Sequence, residues 1–426
     1  MGGNTVPEDG SIDLDLNDPR VLLRADGLDD PRPFYDRLRQ DAPVWRIPGQ
    51  DSYLVSEPAL IREAVGRPED FSSNLVSLLY NDGTGCPIAF AMAPFGDPIH
   101  VLSNADPPLH TRHRKLLQRH LSPAAVAALE PAVVRIVDEY LTPFLAAGGG
   151  DAVAAFTDVM PARTVCELIG LPAEDVRHVI ALVSGTGVLL DGVTDRDAMI
   201  RAAHSAMDLT VYVQQQLEAA LERPAEERSG LLAVFAAAVE AGAVSADEVR
   251  DMLVVLVSAG SETTASLLAT AVETLARDAD LQALLRREPE RIPEAIEVML
   301  CDNGPFQFHY RATPADTTLG GVPIPAYSRV LLMWAAANRP APGRSDDADS
   351  SADAVPDGGP AAHFAFGKGL HFCIGAPVAR LEARVALEQL LTRTASIALD
   401  PDRPPTRRPS IFIRRHASLP VSIEAI

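Results

Sequence analysis

A single uninterrupted helical run most limits what this chain can fold into. Ser245-Ala246-Asp247-Glu248 spells a capping box: the serine hydroxyl accepts from the third amide while the glutamate reaches back to the serine amide. No proline follows until well past Asp278. A helix of that length is roughly 48 Å long at about 1.5 Å per residue, enough to cross a whole domain. The remaining elements must therefore pack around it. Ala- and Leu-rich helical patterns extend from Pro107 to about Ile292, punctuated at Gly148-Gly149-Gly150, Gly170-Leu171-Pro172, Pro224 and Gly242. Residues 31–40 predict a short amphipathic helix. Residues 44–47 and 53–55 around Pro48-Gly49 predict a hairpin. After Pro314 short strands are predicted at 317–319, 322–324 and 329–334, followed by a helix over 377–393. Residues 74–105 and 340–362 lack a period and read as loops, the first long enough to suggest function. The fold class is mainly α with a small β region.

Composition narrows the function. With 47% hydrophobic residues in 426, a sizeable core is available. The chain carries 58 acidic against 37 basic side chains, net −21, which argues against nucleic acid or an anionic membrane surface as partner. The acidity is uneven: residues 1–30 hold eight acids against two arginines, whereas 110–120 hold four basic residues and no acid. Cys86, Cys166, Cys301 and Cys373 lie far apart, without metal-ligand spacing. The polar N-terminus lacks signal-peptide character, and the most apolar run, 252–259, is far shorter than a span needs. These features point to a cytoplasmic, globular protein.

The chemistry concentrates at Phe366-Gly367-Lys368-Gly369-Leu370-His371-Phe372-Cys373-Ile374-Gly375. Two glycines permit a tight turn. The cysteine then sits just before a helix with Pro377 in its first turn. Helix-start amides favour an anion, so Cys373 is expected to be a stabilised thiolate. This segment resembles the haem-ligand loop of cytochromes P-450, FGxGxHxCxG, at all six fixed positions. The resemblance implies the P-450 fold, with haem b between the long helix and the cysteine loop. It makes Cys373 the axial iron ligand, puts Phe366, Gly367 and Gly375 around the cofactor, and places His371 beside a haem propionate.

Two further segments resemble the same family. Ala259-Gly260-Ser261-Glu262-Thr263-Thr264 is similar to its oxygen-binding groove. The resemblance implies that Gly260 leaves room for dioxygen, Thr263 provides a hydroxyl at the oxygen site, and Glu262 relays protons. His110 and Arg114, at i and i+4, match the pair that binds propionates, and Arg311 matches the arginine for the other propionate. The resemblance covers about 30–422, implying an acidic lead-in over 1–30 and one P-450 domain over 31–426.

The family's ExxR and meander arginine are missing. Val298 and Cys301 occupy the expected glutamate and arginine positions, and Glu288-Pro289-Glu290-Arg291 lies too early in the chain. Replacing every member of a buried ionic triad by apolar residues can be neutral, so the fold is expected to survive. The resemblance implies a monooxygenase acting on a small, largely apolar molecule with O2. Electrons would come from NAD(P)H through ferredoxin reductase and ferredoxin, docking at Arg112, Lys115, Arg119, Lys368 and Arg384. The family layout also implies substrate contacts from Leu79, Phe90, Met92, Val188, Val255, Ala259, Phe306, Phe308 and Phe412. Two alternatives stay open: haem-thiolate chemistry of another kind (peroxide-driven, ring-forming or nitrogen-centred), and a non-catalytic auxiliary partner of a glycosyltransferase.

Overall fold

A computed structural model describes residues 14–91, 100–340 and 362–426. The long helix runs Ala246–Arg277 and opens on the capping box, with Glu248 N donating to Ser245 Oγ (3.1 Å) and Ser245 N to Glu248 Oε2 (2.8 Å). It buries Leu253, Val257, Leu267, Leu268 and Leu275 among the helices Val159–Ile169, Arg196–Glu222, Ile292–Asn303 and Ala376–Thr392. This helix is also long and apolar enough by composition to cross a membrane, which the 252–259 run alone did not suggest. More than half of its most apolar window is buried inside the protein, as a central core helix requires.

The β part forms a flank. A four-stranded sheet has the order Val44–Arg46, Ser52–Val55, Arg329–Leu332, His309–Ala312. The first pair is the expected hairpin, with Trp45 opposite Leu54. Ser52–Val55 pairs parallel with Arg329–Leu332, whose other neighbour, His309–Ala312, places Arg311 opposite Val330. Thr317–Leu319 and Val322–Ile324 pair as a separate small hairpin. Residues 14–30 do not hang free of this flank. Val21 and Leu22 are buried against Phe34, Tyr35 and Trp45, and Trp45 Nε1 donates to Leu16 O (3.0 Å).

The 74–105 stretch departs from the expected irregular loop. Ser77–Asn81 and Pro87–Ala91 form an antiparallel hairpin, with Leu79 opposite Ala89. Its turn is held by Asp82 Oδ1, which accepts from the Thr84 and Cys86 amides. Met92 and most of the 340–362 loop lie outside the described residues.

Candidate active site

The Ala376–Thr392 helix starts immediately after the cysteine loop, with Gly375 at its cap and Pro377 in its first turn. Gly367 and Gly369 have φ of 69° and 73°, the left-handed region that the turn requires. The loop is closed by Gly367 N donating to Phe364 O (2.8 Å) and Cys373 N donating to Phe366 O (2.9 Å). These bonds aim Cys373 into a cavity of about 1630 Å³, part of it open to the surface. The Cys373 side chain is exposed to that cavity, with the surrounding loop packed around it. Burial pushes the thiol up, against the pull of the Gly375 and Ala376 amides and of Arg114 and Arg380. The Gly375 and Ala376 amides act in the direction the helix start predicts.

The opposite wall is the long helix, through Val255, Leu256, Ala259, Gly260, Thr263 and Thr264. Thr263 Oγ1 donates back to Ala259 O (2.7 Å). Gly260 serves packing as well as space. A Cβ there would sit 2.6 Å from Val165 Cγ2, so the glycine lets the Val159–Ile169 helix approach closely. Glu262 does not line the cavity. Its Oε1 takes a 2.5 Å ion pair from Arg415 Nη1, while Arg415 Nη2 reaches Asp158 Oδ2 at 2.6 Å. Burial pushes the Glu262 carboxyl up, with Arg415 opposing.

One end of the cavity is basic. His110, Arg114, Arg311 and His371 all line it, as do Phe366, Gly367 and Gly375. The His110 and His371 rings lie 4.3 Å apart. Burial lowers both imidazoles, His371 to about 3 with Arg311 contributing. His110 Nδ1 is buried without a hydrogen-bond partner among the described residues. Arg311 is 7% exposed. Its Nη1 donates to Tyr310 O (2.7 Å), and burial lowers it to about 10, with Asp106 opposing. Asp106 itself is engaged by Ser72 Oγ and the Ser73 amide. A buried guanidinium with no ion-pair partner among the described residues is costly, and an orphaned imidazole nitrogen beside it adds to the demand for an acceptor. A flat, apolar group bearing carboxylates at one edge would satisfy these donors. Haem b is such a group.

The substrate expectations divide. Val255, Ala259 and Phe306 line the cavity. Leu79, Phe308 and Phe412 do not: they are buried core of the cluster beneath the sheet, and Leu79 N donates to Tyr310 Oη. Phe90 packs edge-on against Tyr80 (5.9 Å), and Val188 sits in a short 3-10 turn away from the lining. The expected docking residues are partly neutralised within the chain, Arg112 by Glu248 and Arg384 by Glu130 and Glu388.

Sequence reasoning missed Glu382. It is buried among apolar neighbours and lines the cavity. Burial pushes its carboxyl up to about 8, and its Oε1 has no hydrogen-bond partner among the described residues. Helical spacing from Val378 to Glu382 to Val385 and Ala386 was the available signal, since it puts an acid on the apolar face.

Comparison with known proteins converges on this geometry. The Cytochrome P-450 family model matches residues 305–413, which include Arg311 and the cysteine loop. Cytochrome P-450 144 of Mycobacterium tuberculosis is 37% identical over 411 residues, covering 96% of this chain and 92% of the relative. The cytochrome P-450 monooxygenase PikC of Streptomyces venezuelae is 32% identical, covering 90% and 89%. Among solved structures, CYP109E1 from Bacillus megaterium in complex with testosterone superposes with a TM-score of 0.80 at 25% identity, covering 93% of this chain and 98% of that one. Likeness along nearly the full chain, joined to a cavity whose donors ask for a carboxylate-bearing haem, makes this chain a member of the cytochrome P-450 family and a haem b monooxygenase.

Proposed function

We propose that Cys373 Sγ ligates the haem iron, and that the enzyme inserts one oxygen atom of O2 into a small, largely apolar molecule. In this reading electrons come from NAD(P)H through a reductase and a ferredoxin, and the protein works in the cytoplasm. Haem bound there supplies oxygen activation, which a thiolate ligand favours by donating electron density. His110, Arg114 and Arg311 hold the propionates, and His371 packs beside them. Gly367 and Gly375 keep the loop free of side chains for close approach, and the Phe366 ring packs against Arg380. Thr263, whose hydroxyl donates to the Ala259 carbonyl at the cavity wall, orients a proton at the oxygen site. Glu262, held by Arg415 outside the cavity lining, relays protons toward it. Leu168, Val255, Leu256 and Phe306 exclude water and receive the substrate.

The observation that carries the reading is the convergence of Cys373, Thr263 and a basic edge on one mostly apolar cavity. The testosterone complex of CYP109E1 supports an apolar substrate class, and the monooxygenase name of PikC supports oxygen insertion. Purified holoenzyme should turn over members of a panel of small apolar molecules when given ferredoxin, reductase and NADPH. Product formed with hydrogen peroxide but never with the electron-transfer proteins would instead favour a peroxide-driven enzyme.

A further inference from the structure

Outside the cavity lining, Glu297 on the Ile292–Asn303 helix is a half-buried acid held by partners from two other parts of the chain. Its carboxylate takes a two-pronged grip from Arg380 of the cysteine-loop helix, Nε to Oε1 at 2.6 Å and Nη2 to Oε2 at 2.8 Å. Oε2 also meets His363 Nε2 at 3.1 Å. The His363 tautomer is set by its other nitrogen: Nδ1 accepts from Ala365 N (3.1 Å), so Nε2 carries the hydrogen that goes to Glu297. Burial alone would raise the Glu297 carboxyl, but the Arg380 and His363 hydrogen bonds outweigh it and hold it near 2. Val298 is half-buried, and Cys301 Sγ makes a weak 3.7 Å contact to Asn338 O.

The grip reaches the iron-ligand loop through one ring. The Arg380 guanidinium stacks over Phe366 at 4.4 Å, and the His363 ring lies 5.9 Å from the same phenyl. Phe366 O in turn accepts from the Cys373 amide. We propose that Glu297, Arg380 and His363 form a positioning clamp that fixes Phe366 and, through it, the Cys373 amide and sulfur. The clamp also balances charge: Glu297 neutralises an arginine whose field reaches Cys373. The proposal rests on Cys373 being the iron ligand.

The test is a cycle of Glu297→Gln, Arg380→Gln and the double variant in purified holoenzyme, with exposed Glu294→Gln as control. Three quantities are read: the thiolate fraction of the reduced carbon-monoxide spectrum, the haem reduction potential, and thermal stability. Glu297→Gln should lower the thiolate fraction at least threefold and move the potential positive, because Arg380 loses its counter-charge. The double variant should restore the potential toward wild type, and the control should change nothing. A Glu297→Gln protein with wild-type thiolate fraction and potential, altered only in melting temperature, would reduce the cluster to a structural brace and overturn the proposal. If Glu297→Gln does not fold, the Arg380→Gln single variant decides: it should lower the thiolate fraction while moving the potential negative, and an unchanged fraction and potential overturns the proposal. A wild-type protein without any thiolate band would defeat the ligand assignment instead, which separates the two failures.

Discussion

Arg311→Leu should loosen haem and tighten the haem-free protein at the same time. Arg311 is buried with the Tyr310 carbonyl as its only hydrogen-bond acceptor among the described residues, a position that makes sense when a propionate faces it. Truncating one partner of a buried, hydrogen-bonded charge pair costs about 2–5 kcal/mol. Each 1.4 kcal/mol is about tenfold in affinity, so haem affinity should fall at least tenfold, read as faster haem transfer to a haem-free acceptor protein. Without haem the same guanidinium is an uncompensated buried cation. Replacing it with an apolar side chain should then raise the stability of the haem-free protein in urea by about 1–4 kcal/mol. Opposite signs in the two measurements are the signature. Unchanged haem affinity, or a destabilised haem-free protein, would contradict the propionate assignment.

Arg415→Leu should produce the largest loss of stability among single substitutions near the site. Arg415 is 4% exposed at its side chain and holds both Glu262 and Asp158. Removing the shared cation leaves two carboxylates buried without it, a change worth about 3–5 kcal/mol. The loss should depend on pH, with a sign set by Glu262. Burial already raises its folded carboxyl above the ordinary value despite Arg415, and loss of the arginine raises it further. The folded state then binds more protons than the unfolded state between the unfolded and folded pKa values. Stability is therefore fully present below the ordinary carboxylate range and falls as pH rises through the folded value. Urea denaturation of Arg415→Leu should show a larger deficit at pH 8 than at pH 5. An equal deficit at both, or a deficit under about 1 kcal/mol, would mean that Glu262 does not depend on Arg415.

What could be read from the sequence was whatever local chemistry encodes. The capping box at Ser245 and the glycines around Cys373 act on neighbours a few residues away, and both are found where the residues place them. The 77–91 hairpin was readable too. Asn81-Asp82-Gly83 separates the apolar runs Leu78-Leu79-Tyr80 and Ile88-Ala89-Phe90, a turn between two strands. The orientation of Glu262 against Thr263 was half readable. The cavity face of the helix repeats through Val255, Leu256, Ala259, Gly260, Thr263 and Thr264, and Glu262 falls outside that four-residue spacing. Leu79, Phe308 and Phe412 were not separable from pocket residues, because an apolar side chain gives no local sign of which cavity or core it fills. The Glu297 clamp was hidden for a different reason. Its partners lie 66 and 83 residues away in sequence, and only packing of three separate elements brings them together.

The assignment of Cys373 as the axial thiolate is tested most directly by the reduced, carbon-monoxide-bound absorption spectrum of purified wild-type protein beside Cys373→Ser. Wild type should show the red-shifted Soret band of a thiolate-ligated haem, and the serine variant should lose that band while keeping the helical fold by circular dichroism. A wild-type protein that takes up haem without the thiolate band, or a serine variant that retains it, would contradict the assignment.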